Sequence, residues 1–385
     1  MKALSPAPRA REVLGDVILG LRRRLTLPSA LRTSLIRLIK SEIDMSGLSH
    51  RHRFSSRTCT LALLLGVAFP LQLSAQESKQ IPATRQRQVT STARFTSGNS
   101  ALNIPLEIDN NIILLQVGVN NSKPLRFIFD TGASHTILHS RRGSELGLKP
   151  EEQVSGTATG GAIEGSLTSG VSLKVAGAEV SNQQIGMIDF PVPPGFEFDG
   201  VIGYDFINAF VVEIDYLKKT MNLYDPRTYS YRGRGEVIPL VLDDRRIPLV
   251  QVTISPPAGA SLNAVLGVDT GADRAFIFNN PFVKQHGLVA AMTEIKESVG
   301  RGAGGEQQIV VGRAKTAQLG RFVFTNPTVG LVRDPERDGA TKEGDGVIGG
   351  EIFRRFKVII DYSRQRMILE PNKDLNAPYP VDPGE

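Results

Sequence analysis

The sequence predicts an all-β protein built as two like halves, and three repeated features predict it. Phe129-Asp130-Thr131-Gly132-Ala133-Ser134 returns as Val268-Asp269-Thr270-Gly271-Ala272-Asp273, with the two acids 139 positions apart. A glycine-rich stretch follows each copy, at 156–165 and 300–305. Then comes Asp-Gly-Val-Ile-Gly, at 199–203 and 345–349, each time ahead of an apolar run that ends in Asp215-Tyr216 or Asp361-Tyr362. Three unlike features recurring in one order at a single long period mark a duplicated domain rather than a solenoid of short repeats.

Taken in order, the first half begins with Ile112–Val119, an apolar run rich in β-branched residues that predicts a strand. Asn120-Asn121-Ser122-Lys123-Pro124 supplies turn chemistry, and a second strand runs to Asp130. An acid at the end of such a run sits where a buried strand breaks into a loop. Thr136-Ile137-Leu138 and a short helix to Leu146-Gly147-Leu148 come next, then a hairpin over Gly156–Gly165. Leu167–Val175 and Val180–Ile188 read as strands, as do Val211–Tyr216 and Met221–Tyr224. The second half repeats this order. Pro248–Ile254 and Ala264–Val268 are strands, Pro281–Leu288 carries the short helix, Gly300–Gly305 is the second hairpin, and Lys357–Tyr362 is a strand. The halves are bounded as residues 101–232 and 233–372, with a linker over 76–100 and a tail over 373–385.

Charge excludes one class of partner. The 385-residue chain has a formal net charge of +6, which on its own suggests nucleic acid. Residues 1–75, however, hold 12 Lys and Arg against 4 Asp and Glu, whereas the other 310 residues hold 33 against 35. The body lacks the basic footprint of a DNA or RNA binder. The basic region instead has the layout of a secretory signal: His50-Arg51-His52-Arg53 and Arg57, an apolar run from Leu61 to Leu73, and small residues at Ser74-Ala75. Cleavage is expected after Ala75, with an export destination in the periplasm or outside the cell. An uncleaved leader is the one expected route to a membrane, although the run is shorter than a spanning helix and contains Pro70. Met45, just upstream of the positive region, is the expected start of translation. Cys59 is the only cysteine and precedes the apolar run, so cleavage leaves no thiol for disulfides, nucleophilic catalysis or metal binding.

Two competing motifs fail on context. Gly300-Arg301-Gly302-Ala303-Gly304-Gly305 fits a dinucleotide fingerprint, but Gln307–Val311 after it reads as strand where a helix is required. His135 and His139 have zinc-ligand spacing, but no adjacent Glu and no third ligand accompany them, so they are read as surface side chains. No cofactor and no metal are expected.

Two Asp-Thr-Gly-Ala loops, two glycine hairpins and two Asp-Gly-Val-Ile-Gly segments together resemble the aspartic peptidases. Ala133 and Ala272 after the motif, and halves this short, are most similar to the retropepsin-like (retroviral-type) branch in a bacterial single-chain form. The resemblance covers roughly residues 110–370, about two thirds of the chain. It implies duplicated acid-protease β-barrels of six or seven strands in a pseudo-twofold arrangement, with one short helix each. It also implies a catalytic pair, Asp130 and Asp269, that activates water, supported by Thr131, Gly132, Thr270 and Gly271. The hairpins become flaps tipped by Gly160, Gly161, Gly304 and Gly305, while Ile202-Gly203 and Ile348-Gly349 brace the acidic loops from beneath. Two carboxyls sharing one proton can both deprotonate a water and protonate an amide nitrogen, because like charges at close range split their pKa values. Ala133 and Ala272 replace a hydroxyl residue of pepsin, which removes a hydrogen bond to the ionised pair and predicts a less acidic pH optimum. Some positions depart from the retroviral pattern. Only Asp273, and not Ser134, keeps the acid that contacts substrate backbone there, and Tyr204 and Gly350 stand where those enzymes carry Arg. The expected partner is a peptide or protein substrate, and both halves on one chain predict a monomer. A peptide-binding module on the same fold, or a zymogen, is the alternative.

Overall fold

Each half folds its apolar runs into one large mixed sheet, and a third sheet takes strands from both halves. The computed structural model describes residues 91–334 and 344–380, all within one unit assigned to Thr84–Glu385. The leader features expected in residues 1–75 and the cleavage expected after Ala75 lie outside the described residues.

The first-half sheet has nine strands and the second-half sheet ten. The all-β class holds. Strands outnumber the six or seven expected per half because the long hairpins and short edge strands pair into the same sheets. In the first half, Leu125–Phe129 runs beside Ile112–Val119 and also pairs in parallel with Gly200–Ile202. The second half repeats this with Leu262–Val268 between Pro248–Ser255 and Gly346–Ile348. Each Asp-Thr-Gly therefore leaves a strand held on both sides, which fixes where the acid emerges.

The third sheet joins the halves. Val211–Asp215 pairs antiparallel with Phe356–Asp361 in the register Val212↔Ile360 and Ile214↔Val358, and strands from both halves extend it to six. A single apolar cluster runs through both halves, with Phe127, Phe129, Phe206, Phe276, Phe278, Phe353 and Phe356 fully buried. Each such ring contributes on the order of 2–3 kcal/mol of transfer free energy.

Helix is scarce, as expected. Ser140–Glu145 and Asn280–Gln285 are the short helices of the two halves, with Leu288–Ala291 following the second. The structure adds one turn after each Ile-Gly, at Tyr204–Ile207 and Gly350–Phe353. Among the described residues no helix is long and apolar enough to cross a membrane.

Two segments differ from expectation. Within the supposed linker 76–100, Thr92–Phe95 is a strand paired with Ala178–Ser181, and Phe95 packs edge-on against Phe210 at 5.5 Å. An exposed edge strand needs only backbone partners and one anchor, so it carries no apolar period to read. The supposed tail 373–385 is docked as far as Pro380. The buried Arg355 guanidinium donates to the carbonyls of Asp374, Leu375 and Ala377 and lies 3.9 Å from the Tyr379 ring centre. Arg313 donates to the Pro380 carbonyl at 2.9 Å. Buried arginines order this segment, and its own composition does not announce them.

Candidate active site

The loops bearing Asp130 and Asp269 meet across the axis between the halves and hold each other through their threonines. Thr131 N–H donates to Thr270 Oγ1 at 3.1 Å, and Thr270 N–H donates to Thr131 Oγ1 at 3.1 Å. Each hydroxyl then donates across to the opposing strand, Thr131 to the Val268 carbonyl at 2.6 Å and Thr270 to the Phe129 carbonyl at 2.7 Å. Both threonines are fully buried. Four cross-half bonds in such a small volume leave the loops little freedom. An unmet buried partner costs about 1–3 kcal/mol, so the arrangement is strongly specified.

Each carboxylate accepts from the glycine two residues on, Asp130 from Gly132 N–H at 2.7 Å and Asp269 from Gly271 N–H at 2.9 Å. The glycines are required by what stands opposite. A Cβ at Gly132 would sit 2.7 Å from Asp269 Cγ, and one at Gly271 would sit 2.6 Å from Asp130 Cγ. Any larger residue would push the carboxyls apart. Asp130 and Asp269 thus lie close enough for the charge of one carboxyl to act on the other.

Two carboxyls cannot both ionise there. Burial pushes Asp130 well above the ordinary carboxyl value, and the charge and hydrogen bond of Asp269 push it further. Burial also raises Asp269, while Asp130 beside it and the Gly271 and Ala272 N–H groups pull the other way. Both shifts favour the protonated form, and the two carboxyls titrate as a pair rather than one by one.

The predicted bracing residues lie against the acidic loops. Asp130 N–H donates to the Ile202 carbonyl and Asp269 N–H to the Ile348 carbonyl, both at 3.0 Å. Gly203 N–H donates to Thr136 Oγ1 at 3.2 Å, and Gly349 N–H to the Ala275 carbonyl at 3.1 Å. Tyr204 and Gly350 donate to the carbonyls of Ala133 and Ala272 at 2.9 and 2.7 Å.

The glycine stretches are the tips of two hairpins, Glu152–Ala158 with Gly161–Val175 and Thr293–Gly302 with Gly305–Arg313. These tips touch. Gly304 N–H donates to the Thr159 carbonyl at 2.9 Å, and a Cβ at Gly160 would sit 2.2 Å from the Gly305 carbonyl oxygen.

Sequence reasoning missed the contacts that tie the halves together beside the acids. In the first half, Asn110 and Asn111 form a turn with φ of 46° and 67°. Asn110 Nδ2 donates to Asp273 Oδ2 at 3.1 Å, and Asn111 Nδ2 to the Asp273 carbonyl at 3.0 Å and to Glu351 Oε2 at 3.1 Å. Glu351 is buried and also holds Arg354 and Arg355. Asn-Asn between two short strands does announce a turn, but nothing local announces a partner more than a hundred residues away.

The histidines differ from their expected role as a surface pair. His135 is exposed, with Nδ1 3.8 Å from the Asp205 carboxylate, which raises its pKa. His139 is half-buried, caps the following helix by accepting from Arg141 N–H at 3.3 Å, and meets Phe190 edge-on. Its polar edge serves the helix end and its ring face the packing. Among the described residues no group of three or more His, Cys, Asp or Glu could hold a metal ion.

A duplicated β chain with two Asp-Thr-Gly loops locked face to face has the architecture of a single-chain aspartyl protease. A family model described as aspartyl protease matches residues 115–206 and 250–352, just over half of the chain and one stretch in each half. The chain belongs to the retropepsin-like aspartyl protease family, in a duplicated form, and its function is of the protease type. No curated protein matches the sequence.

Proposed function

We propose that the protein is an aspartic endopeptidase that hydrolyses peptide bonds with a water activated by Asp130 and Asp269. One observation carries this reading. The two carboxyls face each other across the joined loops, each backed by its own glycine N–H, and burial together with the charge of Asp269 favours the protonated form of Asp130. In the forward reaction, the ionised carboxyl takes a proton from water as the water oxygen bonds to the scissile carbonyl carbon. The protonated carboxyl gives its proton to the carbonyl oxygen, producing a neutral tetrahedral diol. Collapse returns that proton to the pair while the amide nitrogen takes the other, and the C–N bond breaks. The net change is one water consumed and one peptide bond cleaved, with the pair back in its starting state. The flaps exclude bulk water and press the substrate backbone onto the acids. A pure binding module has no evident use for a buried acid pair, which supports the enzyme over the alternative. We further place the protein outside the cytoplasm, in the periplasm or secreted, acting as a monomer because both acids come from one chain.

The test is cleavage of a peptide library between pH 3 and 8 by the chain starting at Gln76, alongside Asp130→Asn and Asp269→Asn. Either substitution is expected to lower cleavage by at least about a thousandfold, since each removes one half of a coupled acid–base pair. A folded wild type that cuts nothing at any pH, yet retains peptides, would transfer the site to the binding-module reading.

A further inference from the structure

The under-faces of the two flaps differ at one symmetric position. In the second flap, the pairs Gly302↔Gly305, Gly300↔Gln307 and Ser298↔Ile309 share a face, since directly opposed residues on neighbouring strands lie on the same side. Arg301, Glu306 and Gln308, on the other face, are exposed. The first face is turned toward the segment that follows Asp269, because Arg274, five residues beyond that acid, donates to Ser298 Oγ at 3.2 Å. Gln307 is 4% exposed, and its Oε1 has no hydrogen-bond partner. Its side chain lies across Gly300, where a Cβ would come 3.1 Å from Gln307 Cγ and 3.2 Å from Nε2. Glycine thus makes room for the carboxamide beneath the flap. The first flap repeats this geometry with Gly156↔Ile163, and a Cβ at Gly156 would sit 3.8 Å from Ile163 Cγ1. Both Gln307 and Ile163 stand two residues beyond the second glycine of a flap tip.

We infer that Gln307 is a specificity residue that selects a neutral hydrogen-bond-donating side chain (Ser, Thr, Asn or Gln) on one side of the scissile bond, while Ile163 selects an aliphatic side chain at the related position on the other. This rests on the peptidase reading above. Buried side-chain oxygens are nearly always satisfied, so an unmet one under a flap is an acceptor awaiting a donor from the occupant of the cleft. The donor is neutral because the nearby Arg274 is already paired with Asp273 at 3.7 Å, and a buried ligand cation would lack a counter-charge. Sites built to hydrogen-bond a substrate group reject analogues that lack it far more strongly than apolar pockets reject a missing methylene.

The test is a mixed peptide library cleaved by the wild type, Gln307→Ile and Ile163→Gln, with residues on both sides of each cut identified by mass spectrometry. The wild type is expected to show one polar and one aliphatic preference at positions symmetric about the cut. Gln307→Ile makes both aliphatic and changes the polar-to-aliphatic ratio of kcat/KM at its position by about tenfold or more, and Ile163→Gln makes both polar. A side chain that merely packs would change the melting temperature and leave the ratios alone, so an unchanged profile in Gln307→Ile overturns the inference. If the folded wild type cuts no peptide, the peptidase reading fails separately. Retention of the same library on immobilised protein then decides. Loss of polar enrichment in Gln307→Ile supports the role of Gln307 in selection, and unchanged retention, or none, overturns it.

Discussion

Asp130 lies in the chain at a cost to stability, and the sign of that cost can be worked out. Its folded pKa is raised by burial and then by Asp269, so the folded state binds the proton more tightly than the unfolded chain does. Below the ordinary carboxyl value both states are protonated and nothing is lost. As pH rises from there through the raised folded value, the unfolded chain releases its proton first and stability falls. Asn at this position keeps an oxygen for the Gly132 N–H bond of 2.7 Å but carries no charge. Asp130→Asn is therefore expected to melt at a higher temperature than wild type at pH 7, with the gain vanishing below about pH 4, where the ordinary carboxyl is protonated. Scanning calorimetry at both pH values checks this, and an equal gain at both would mean the benefit is not electrostatic. Burial and the charge of Asp269 extend the protonated form of Asp130 toward neutrality, a cause separate from the missing hydroxyl on which the less acidic optimum expected from Ala133 and Ala272 rests. Activity should fall at high pH when the shared proton leaves and at low pH when a second one binds. Buried Tyr362 takes no part in this, because burial and the charge of Asp130 push its hydroxyl upward.

At the scale of elements, the strands feeding the acids were legible and their reinforcement was not. Ile112–Val119 and Leu125–Phe129 stand as expected because apolar, β-branched runs between turn residues have few alternatives. The glycine stretches were legible as hairpins, but that their tips would meet depends on where two distant sheets place them. Gly160 shows how tight the meeting is, since a Cβ there would sit 2.2 Å from the Gly305 oxygen and the residue holds φ of 94°. Gly160→Ala should keep the flaps from closing over a bound peptide. The expected result is a loss in kcat/KM of about tenfold to a hundredfold, carried mainly by KM, since misplacing a closing element by about 1 Å costs that much. The acid pair and the threonine bonds are untouched, so the pH profile should keep its shape. An unchanged kcat/KM would return these hairpins to the status of ordinary loops.

At the scale of the molecule, the duplication was readable while the joining of its halves was not. Repetition of Asp-Thr-Gly-Ala and Val-Ile-Gly is visible in one dimension, but Asn110 reaching Asp273, or Val212 lying opposite Ile360, is a property of assembled sheets. Such joints determine how the protein unfolds. Proteins of this size with two domains commonly melt in more than one step. Here separation of the halves would break the register of Val211–Asp215 with Phe356–Asp361, split one apolar cluster, and leave buried Thr131 and Thr270 without partners. We therefore expect one transition in calorimetry, with van't Hoff and calorimetric enthalpies that agree. Two transitions would mean that each half is stable alone and that the acids meet only after both have folded. In that case a mixture of separately made halves should recover activity in proportion to their concentrations, whereas a single cooperative unit should yield insoluble or unfolded fragments.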